Sequence, residues 1–349
     1  MRKIFIVTLL LLTTGCFNYQ EISNMEVVTS FGLDIEDHEL NTTIKVINVV
    51  DPMFPPETVS YHATGPSISA NLSYLQNQLE KPLYFGHLTK LVIGEDLAED
   101  GIFPHLEFFL KRPGLHQNFP LLIAYKDQAV DVLDQDTTED EEELDNTLQQ
   151  IMESFTRSQI LNDANLEIII NRIKTPGIEA TVPTVRISES LLDGAVDLEK
   201  NSVAVFRSDQ LVGYLTEEAA LGLRLIKDQN QNLNIPLVCK GQNINLDVRR
   251  SRVRINQVGN NYQLKLHVTG SLDKPCAGNK LNRQLEAIIN QTIKESQELG
   301  SDIIGIGRYA HIFHRRNLDN WHQIYRELNI ELVVNTRITR ARSAFIGGF

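Results

Sequence analysis

The residue with the most definite chemistry is Cys16, because of what precedes it. Met1 to Cys16 reads MRKIFIVTLLLLTTGC: a basic start at Arg2 and Lys3, an apolar run from Ile4 to Leu12 broken only by Thr8, and a small-residue approach through Thr13, Thr14 and Gly15. That is the layout of a cleaved export signal, and the run is too short to cross a bilayer as a permanent helix. With cysteine at the cleavage point and glycine before it, the expectation is a bacterial lipoprotein signal over residues 1–15, with the Cys16 thiol taking a diacylglyceryl group as the mature N-terminus. An ordinary secretory signal is the alternative, since Thr13 stands three before the cysteine and Leu12 misses that place by one. Two acyl chains, at about 0.8 kcal/mol per buried methylene, anchor a protein stably without a transmembrane helix.

Other residues offer chemistry that their spacing then withdraws. His311 and His314 stand three apart on an expected helix, with His322 beyond, and could supply part of a zinc site. The zinc-binding pair of a metalloprotease helix is spaced by four, with glutamate after the first histidine; here Ile312 follows, so surface or partner-contact histidines are the better account. Gly305-Ile306-Gly307 is similar to a phosphate-binding turn, but Ala310 takes the place of the third glycine. Close backbone packing explains it better. From Asp131 to Asp145 there are nine carboxylates and no basic residue, without the central glycine and terminal glutamate of a calcium loop, so a solvated linker is expected. Cys239 and Cys276 lie 37 positions apart, and pairing or two free thiols are both open. There is no Gly-x-Ser-x-Gly elbow, phosphate loop or paired-cysteine metal motif, so no catalytic residue, metal or cofactor is assigned.

Charge is distributed more tellingly than its net value of −12 indicates. Residues 17–228 carry 14 Lys and Arg against 36 Asp and Glu, whereas residues 229–349 carry 17 against 9. Either the two parts dock on one another or the basic part faces something anionic, such as lipid headgroups; an export signal argues against nucleic acid. Arg249, Arg250, Arg252 and Arg254, with Arg337, Arg340 and Arg342, form the candidate partner or headgroup surface. Internal pairing with the acidic part is the alternative use.

The elements that must position these residues follow from periodicity. Val27 to Ile35 and Thr42 to Val50 read as a hairpin, Thr58 to Ala63 as a strand, Ser67 to Leu79 as a helix with Ile68, Leu72, Leu75 and Leu79 on one face. Leu88 to Ile93 and Pro120 to Tyr125 are core strands, Ile102 to Leu110 a helix, and Glu141 to Phe155 a helix with acids in its first turn. Leu166 to Ile173, Thr181 to Ile187, Ser202 to Phe206 and Leu211 to Leu215 read as strands, then Glu217 to Lys227 as a helix capped by Thr216. Strands are expected at Leu233 to Cys239, Ile244 to Val248, Val253 to Val258, Tyr262 to Val268 and Ile330 to Ile338. The apolar phase slips from even to odd positions near Arg249 to Arg252, which predicts a bulge. Lys280 to Leu299 is an amphipathic helix ended by Gly300, and Trp321, Ile324, Tyr325 and Leu328 mark another. The fold class is α+β: three mixed α/β domains over residues 16–135, 136–228 and 229–349, the last an antiparallel sheet packed by helices.

Three stretches carry a family resemblance: DPMFPPETVSYHATGPSISANLSYLQNQLEKPLYFGHLTKLVIGEDLAEDGI from Asp51 to Ile102, VAVFRSDQLVGYLTEEAALGLRLIK from Val203 to Lys227, and SDIIGIGRYAHIFHRRNLDNW from Ser301 to Trp321. With the signal before them, they resemble, in order and over nearly the whole mature chain, the spore germination Ger(x)C lipoproteins, the C subunits of nutrient germinant receptors. Phe17 departs from the tryptophan that commonly follows the lipid cysteine in that family. The resemblance implies a non-catalytic, three-domain α/β body anchored on the outer surface of the spore inner membrane. It also implies two integral-membrane partner subunits. A surface-anchored solute-binding lipoprotein, or a hydrolase using the His311 and His314 region, is the alternative expectation.

Overall fold

The computed structural model describes residues 24–48, 57–112, 114–134, 164–187, 196–197, 203–228, 233–259 and 261–341. Cys16, Arg342, the acidic run beyond Asp134 and the expected helix from Glu141 to Phe155 lie outside the described residues.

The described residues build two sheets. The first begins with β1 (Glu26–Glu36) and β2 (Glu39–Asn48), joined through Asp37 and His38, whose φ angles of 50° and 66° suit the tight two-residue turn of a twisted hairpin. It continues with β3 (Glu57–Gly65), α1 (Ile68–Gln78), β4 (Leu83–Tyr84), β5 (Lys90–Gly94), α2 (Glu95–Asp100), α3 (Phe103–Lys111), β6 (Leu121–Ala124) and α4 (Ala129–Asp134). Then come α5 (Leu166–Lys174), β7 (Thr181–Ile187), β8 (Val196–Asp197), β9 (Val203–Arg207) and β10 (Gln210–Leu215). The strand order is β10-β9-β7-β6-β5-β1-β2-β3, with β1, β5, β6 and β7 parallel at the centre and antiparallel strands outside. Strands from both sides of residue 136 therefore share one sheet. β5 and β6 are buried at every position, as central parallel strands covered on both faces must be. Phe31, Leu75, Phe109 and Ile169 belong to the core on one face, and α4 covers the other with Val132 and Leu133 against Val92, Leu122 and Val185.

The second sheet takes β11 (Leu233–Cys239), β12 (Gln242–Val258), β13 (Asn261–Leu272) and β14 (Ile330–Ala341), in that order. Before it comes α6 (Glu217–Ile226), and between β13 and β14 lie α7 (Gly278–Leu299), α8 (Ile306–His314) and α9 (Trp321–Arg326). Leu281, Leu285, Ile288, Ile289 and Ile293 of α7 pack on the inner residues Ile235, Leu246, Leu264 and Leu266. Gly300, at φ 66°, closes α7 in the left-handed conformation. Cys239 and Cys276 are joined as a disulfide. Among the described residues no helix is long and apolar enough to cross a membrane.

Three elements differ from expectation, although the α+β class stands. Leu166–Lys174 is a helix, not a strand: Leu166, Ile169 and Ile170 are buried and Ile173 is packed against them, the i, i+3, i+4, i+7 pattern of a helix face. The isoleucine run favours a strand locally, and tertiary packing overrides that preference. The expected strands Ile244 to Val248 and Val253 to Val258 are one continuous strand, bent at the predicted bulge between Val248 and Arg250. β14 pairs parallel to β13, because the chain crosses back through three helices before re-entering the sheet, which makes this sheet mixed.

Candidate functional site

The bulge in β12 decides where the arginines go. Before it, odd positions face outward; after it, even positions do, so Arg249 and Arg250 both stand on the outer face and Arg252 and Arg254 follow them. All four are exposed. Opposite them on β13 are Lys265, facing Arg254, and His267, facing Arg252. One strand further, Arg337 sits opposite Thr269 on β14 and is exposed. Arg340 holds the register position opposite Ser271, and its side chain lies outside the described residues. None of these six described cations is ion-paired to a carboxylate among the described residues. The two acids on this face have polar neighbours: Asp247 accepts from Ser271 Oγ at 3.3 Å and Glu331 from Gln263 Nε2 at 2.8 Å. Five of the seven sequence-predicted arginines, Arg249, Arg250, Arg252, Arg254 and Arg337, thus share one sheet face, and Lys265 and His267, unnoticed in the sequence, join them by strand pairing; Arg342 lies outside the described residues.

The glycine turn has a different role. Asp302 is buried and its Oδ1 accepts from the backbone N–H groups of Gly305 at 2.7 Å and Ile306 at 3.1 Å. Its Oδ2 accepts from Gly307 N–H at 2.6 Å and from Trp321 Nε1 at 2.9 Å. The turn is an anion-holding nest at the start of α8, and the anion is the protein's own carboxylate. Burial pushes the Asp302 carboxyl up, while the four donors pull it down. Close packing, the expectation for this turn, holds: a Cβ on Gly307 would lie 2.5 Å from Trp321 Nε1 and 2.9 Å from the Gly177 Cα.

The histidines are not gathered. His311 and His314 are exposed on α8, with His311 Nδ1 3.2 Å from the Arg316 carbonyl oxygen and His314 beside the Tyr309 ring. Among the described residues no group of three or more histidine, cysteine or acidic side chains is placed to hold a metal. Ile312 and Phe313 beside them are exposed.

A third feature was not anticipated. A cleft of about 430 Å³ opens at the C-terminal ends of β1, β5 and β6, lined by Asp34, Glu95, Asp96, Asp127, Asp131 and Lys126 among others. Asp34 accepts from Ala129 N–H at 2.7 Å and Val130 N–H at 3.0 Å, tying β1 to the start of α4. Burial raises its pKa to about 6, against those two hydrogen bonds. A single aspartate inside the apolar run of β1 is the only sequence signal for it.

The described residues thus form a two-sheet α+β body with a cationic outer face and a junction locked by the Asp302 carboxylate. Residues 18–187 match the family described as spore germination protein N-terminal domain, and residues 201–342 match spore germination B3/GerAC like, C-terminal. The chain belongs to this spore germination family, whose members are non-catalytic germinant-receptor subunits of the C type. It is 19% identical over 362 aligned positions to the spore germination protein GerQC of Bacillus cereus, covering 97% of this chain and 98% of that one. It is 20% identical over 235 positions to YfkR of Bacillus subtilis (strain 168), assigned by name to spore germination, covering 63% of this chain and 59% of that protein. Among solved structures, the crystal structure of the GerBC protein superposes with a TM-score of 0.58 at 15% identity, over 88% of this chain and 96% of that one, a likeness of fold.

Proposed function

We propose that this chain is the lipid-anchored C subunit of a nutrient germinant receptor, held through Cys16 on the outer surface of the spore inner membrane beside two integral-membrane subunits. The observation that carries the reading is the pair of family matches, over residues 18–187 and 201–342, behind the signal that ends at Cys16. The Cys239–Cys276 disulfide supports export, since such bonds persist outside the reducing cytosol. The outer sheet face with Arg249, Arg250, Arg252, Arg254 and Arg337 is the side turned to partner or headgroup, and Arg340 and Arg342, next in sequence, belong to the same proposed set. The body divides at residues 136 and 229, so limited proteolysis should cut near those points first, with the fragments on either side of residue 136 staying associated through the sheet they share.

The test is recovery of the tagged protein from detergent-solubilised inner membrane of dormant spores. Two multi-spanning subunits are expected to accompany it, and Cys16→Ala is expected to release or mislocalise the protein and slow the nutrient response. Recovery without membrane partners under mild detergent would remove the assembly, and unchanged location in the variant would remove the anchor. The solute-binding or hydrolase alternative draws no support from the His311 and His314 region, where both side chains are exposed and no third ligand joins them among the described residues.

A further inference from the structure

We propose that the outer face of the β11–β14 sheet is a docking surface for anionic phospholipid headgroups, an inference that rests on the lipid-anchored reading and deepens it. The argument begins with the shape of the charge. Arg249, Arg250, Arg252 and Arg254 run along β12, Lys265 lies on β13 and Arg337 on β14, all outward. Neighbouring strands are about 4.8 Å apart, and successive outward residues about 6.8 Å apart along one strand. The cations are therefore spread over three neighbouring strands and do not converge on one point. Two clefts among the described residues, lined by Asp34 and Asp96 and by Ser69 and Arg112, lie at the other sheet. An array of guanidinium groups spread over a sheet face fits a surface of many phosphates better than one small anion, and each guanidinium can bind phosphate oxygens in pairs.

The composition of the face separates a lipid surface from a protein partner. Protein interfaces take most of their binding energy from buried aromatic and aliphatic anchors. The exposed large apolar residues of this sheet are two valines at its hairpin ends, Val238 and Val258, and no aromatic side chain is exposed on it. What remains around the cations is polar: Asn243, Asn245, Asn256 and Asn335, with the two carboxylates of Asp247 and Glu331, which accept from Ser271 and Gln263. The cations have no carboxylate partner among the described residues to be displaced, so docking breaks no ion pair there. Attraction of this kind is electrostatic, additive over the arginines and sensitive to salt.

The experiment uses the full-length lipidated protein in vesicles of phosphatidylcholine alone or with one-third phosphatidylglycerol. Asn335→Cys, opposite His267 on the outer face, adds a fluorophore site without removing a cation, and Cys239 and Cys276 are already bonded to each other. Quenching by a headgroup-attached quencher is expected to be strong only with phosphatidylglycerol and to fall in 0.5 M salt, where the screening length is about 4 Å. Combined Arg250→Glu, Arg252→Glu and Arg254→Glu should abolish it, at about fivefold or more per arginine. These side chains are exposed, so circular dichroism should show an unchanged fold. Equal quenching in both lipids, or no effect of the triple reversal, overturns the proposal. So does crosslinking from position 335 to an acidic protein in spore membranes together with lipid quenching that ignores phosphatidylglycerol. Failure here leaves recovery of the membrane subunits and the Cys16→Ala location unchanged, whereas failure of the receptor assembly would show as loss of the membrane subunits and leave the quenching intact.

Discussion

Asp302 shows how much a single side chain holds. Its carboxylate is the acceptor for three backbone N–H groups and the Trp321 indole in a fully enclosed place. Asp302→Ala leaves these donors without water or partner, and each buried unmatched donor costs about 1–3 kcal/mol. The expected loss in urea unfolding is at least ~3 kcal/mol, because four donors are orphaned together. Asp302→Asn should lose less, since one oxygen still accepts; equal losses in both variants would show that charge rather than acceptor geometry matters. The glycines of this turn were legible as close-packing residues. The identity of the anion was not, because an aspartate three residues ahead of a turn looks like any solvated acid until burial is known.

At the scale of elements, Asp34 couples strand to helix across 95 positions of sequence, which is why no local pattern announces it. Its effect on stability has a definite sign. The folded protein holds the Asp34 proton up to about pH 6 while the ordinary value is 3.8. Between these values the folded state binds more protons than the unfolded chain, so this contribution is fully present below about pH 4, falls as pH rises through the window, and is flat above it. At 1.36 kcal/mol per unit, the fall is roughly 2–3 kcal/mol. Urea midpoints between pH 4 and pH 7 should show that slope, and Asp34→Asn should flatten it; an unchanged slope in the variant would assign it to other groups. The strands and helices whose apolar spacing was regular were readable from sequence, including the β12 bulge from its slip of phase. The helix Leu166–Lys174 was not, because consecutive isoleucines satisfy both periods over so short a run. The parallel entry of β14 was hidden as well, since direction in a sheet depends on the crossover and not on the strand.

At the scale of the molecule, the two sheets meet through the stretch that follows α7. Ser301 Oγ donates to the Phe206 carbonyl at 2.6 Å, Glu179 N–H to the Asp302 carbonyl at 3.0 Å, and Arg308 N–H to the Gly177 carbonyl at 2.7 Å. Gly177 is the closest point of that contact: its φ is 78°, and a Cβ there would fall 2.4 Å from both Arg308 N and Gly307 C. Gly177→Ala must therefore push α8 and its Asp302 nest away from the first sheet, besides straining the backbone. Each sheet keeps its own apolar core, one around Phe31 and Leu91 and the other around Leu266 and Leu285. The second also keeps its disulfide. The expected result is a protein that still folds but loses cooperation between its halves, so that one calorimetric transition separates into two. The N-terminal sheet should melt at the lower temperature, because the Cys239–Cys276 bond closes a 37-residue separation and contributes about 4 kcal/mol by restricting the unfolded chain. A single transition, lowered but undivided, would mean that the contacts of α6 and α7 with the first sheet transmit the coupling without Gly177. If the transitions divide and the germination response is lost while the protein still reaches the membrane with its partners, rigid transmission between the sheets is part of how this subunit works.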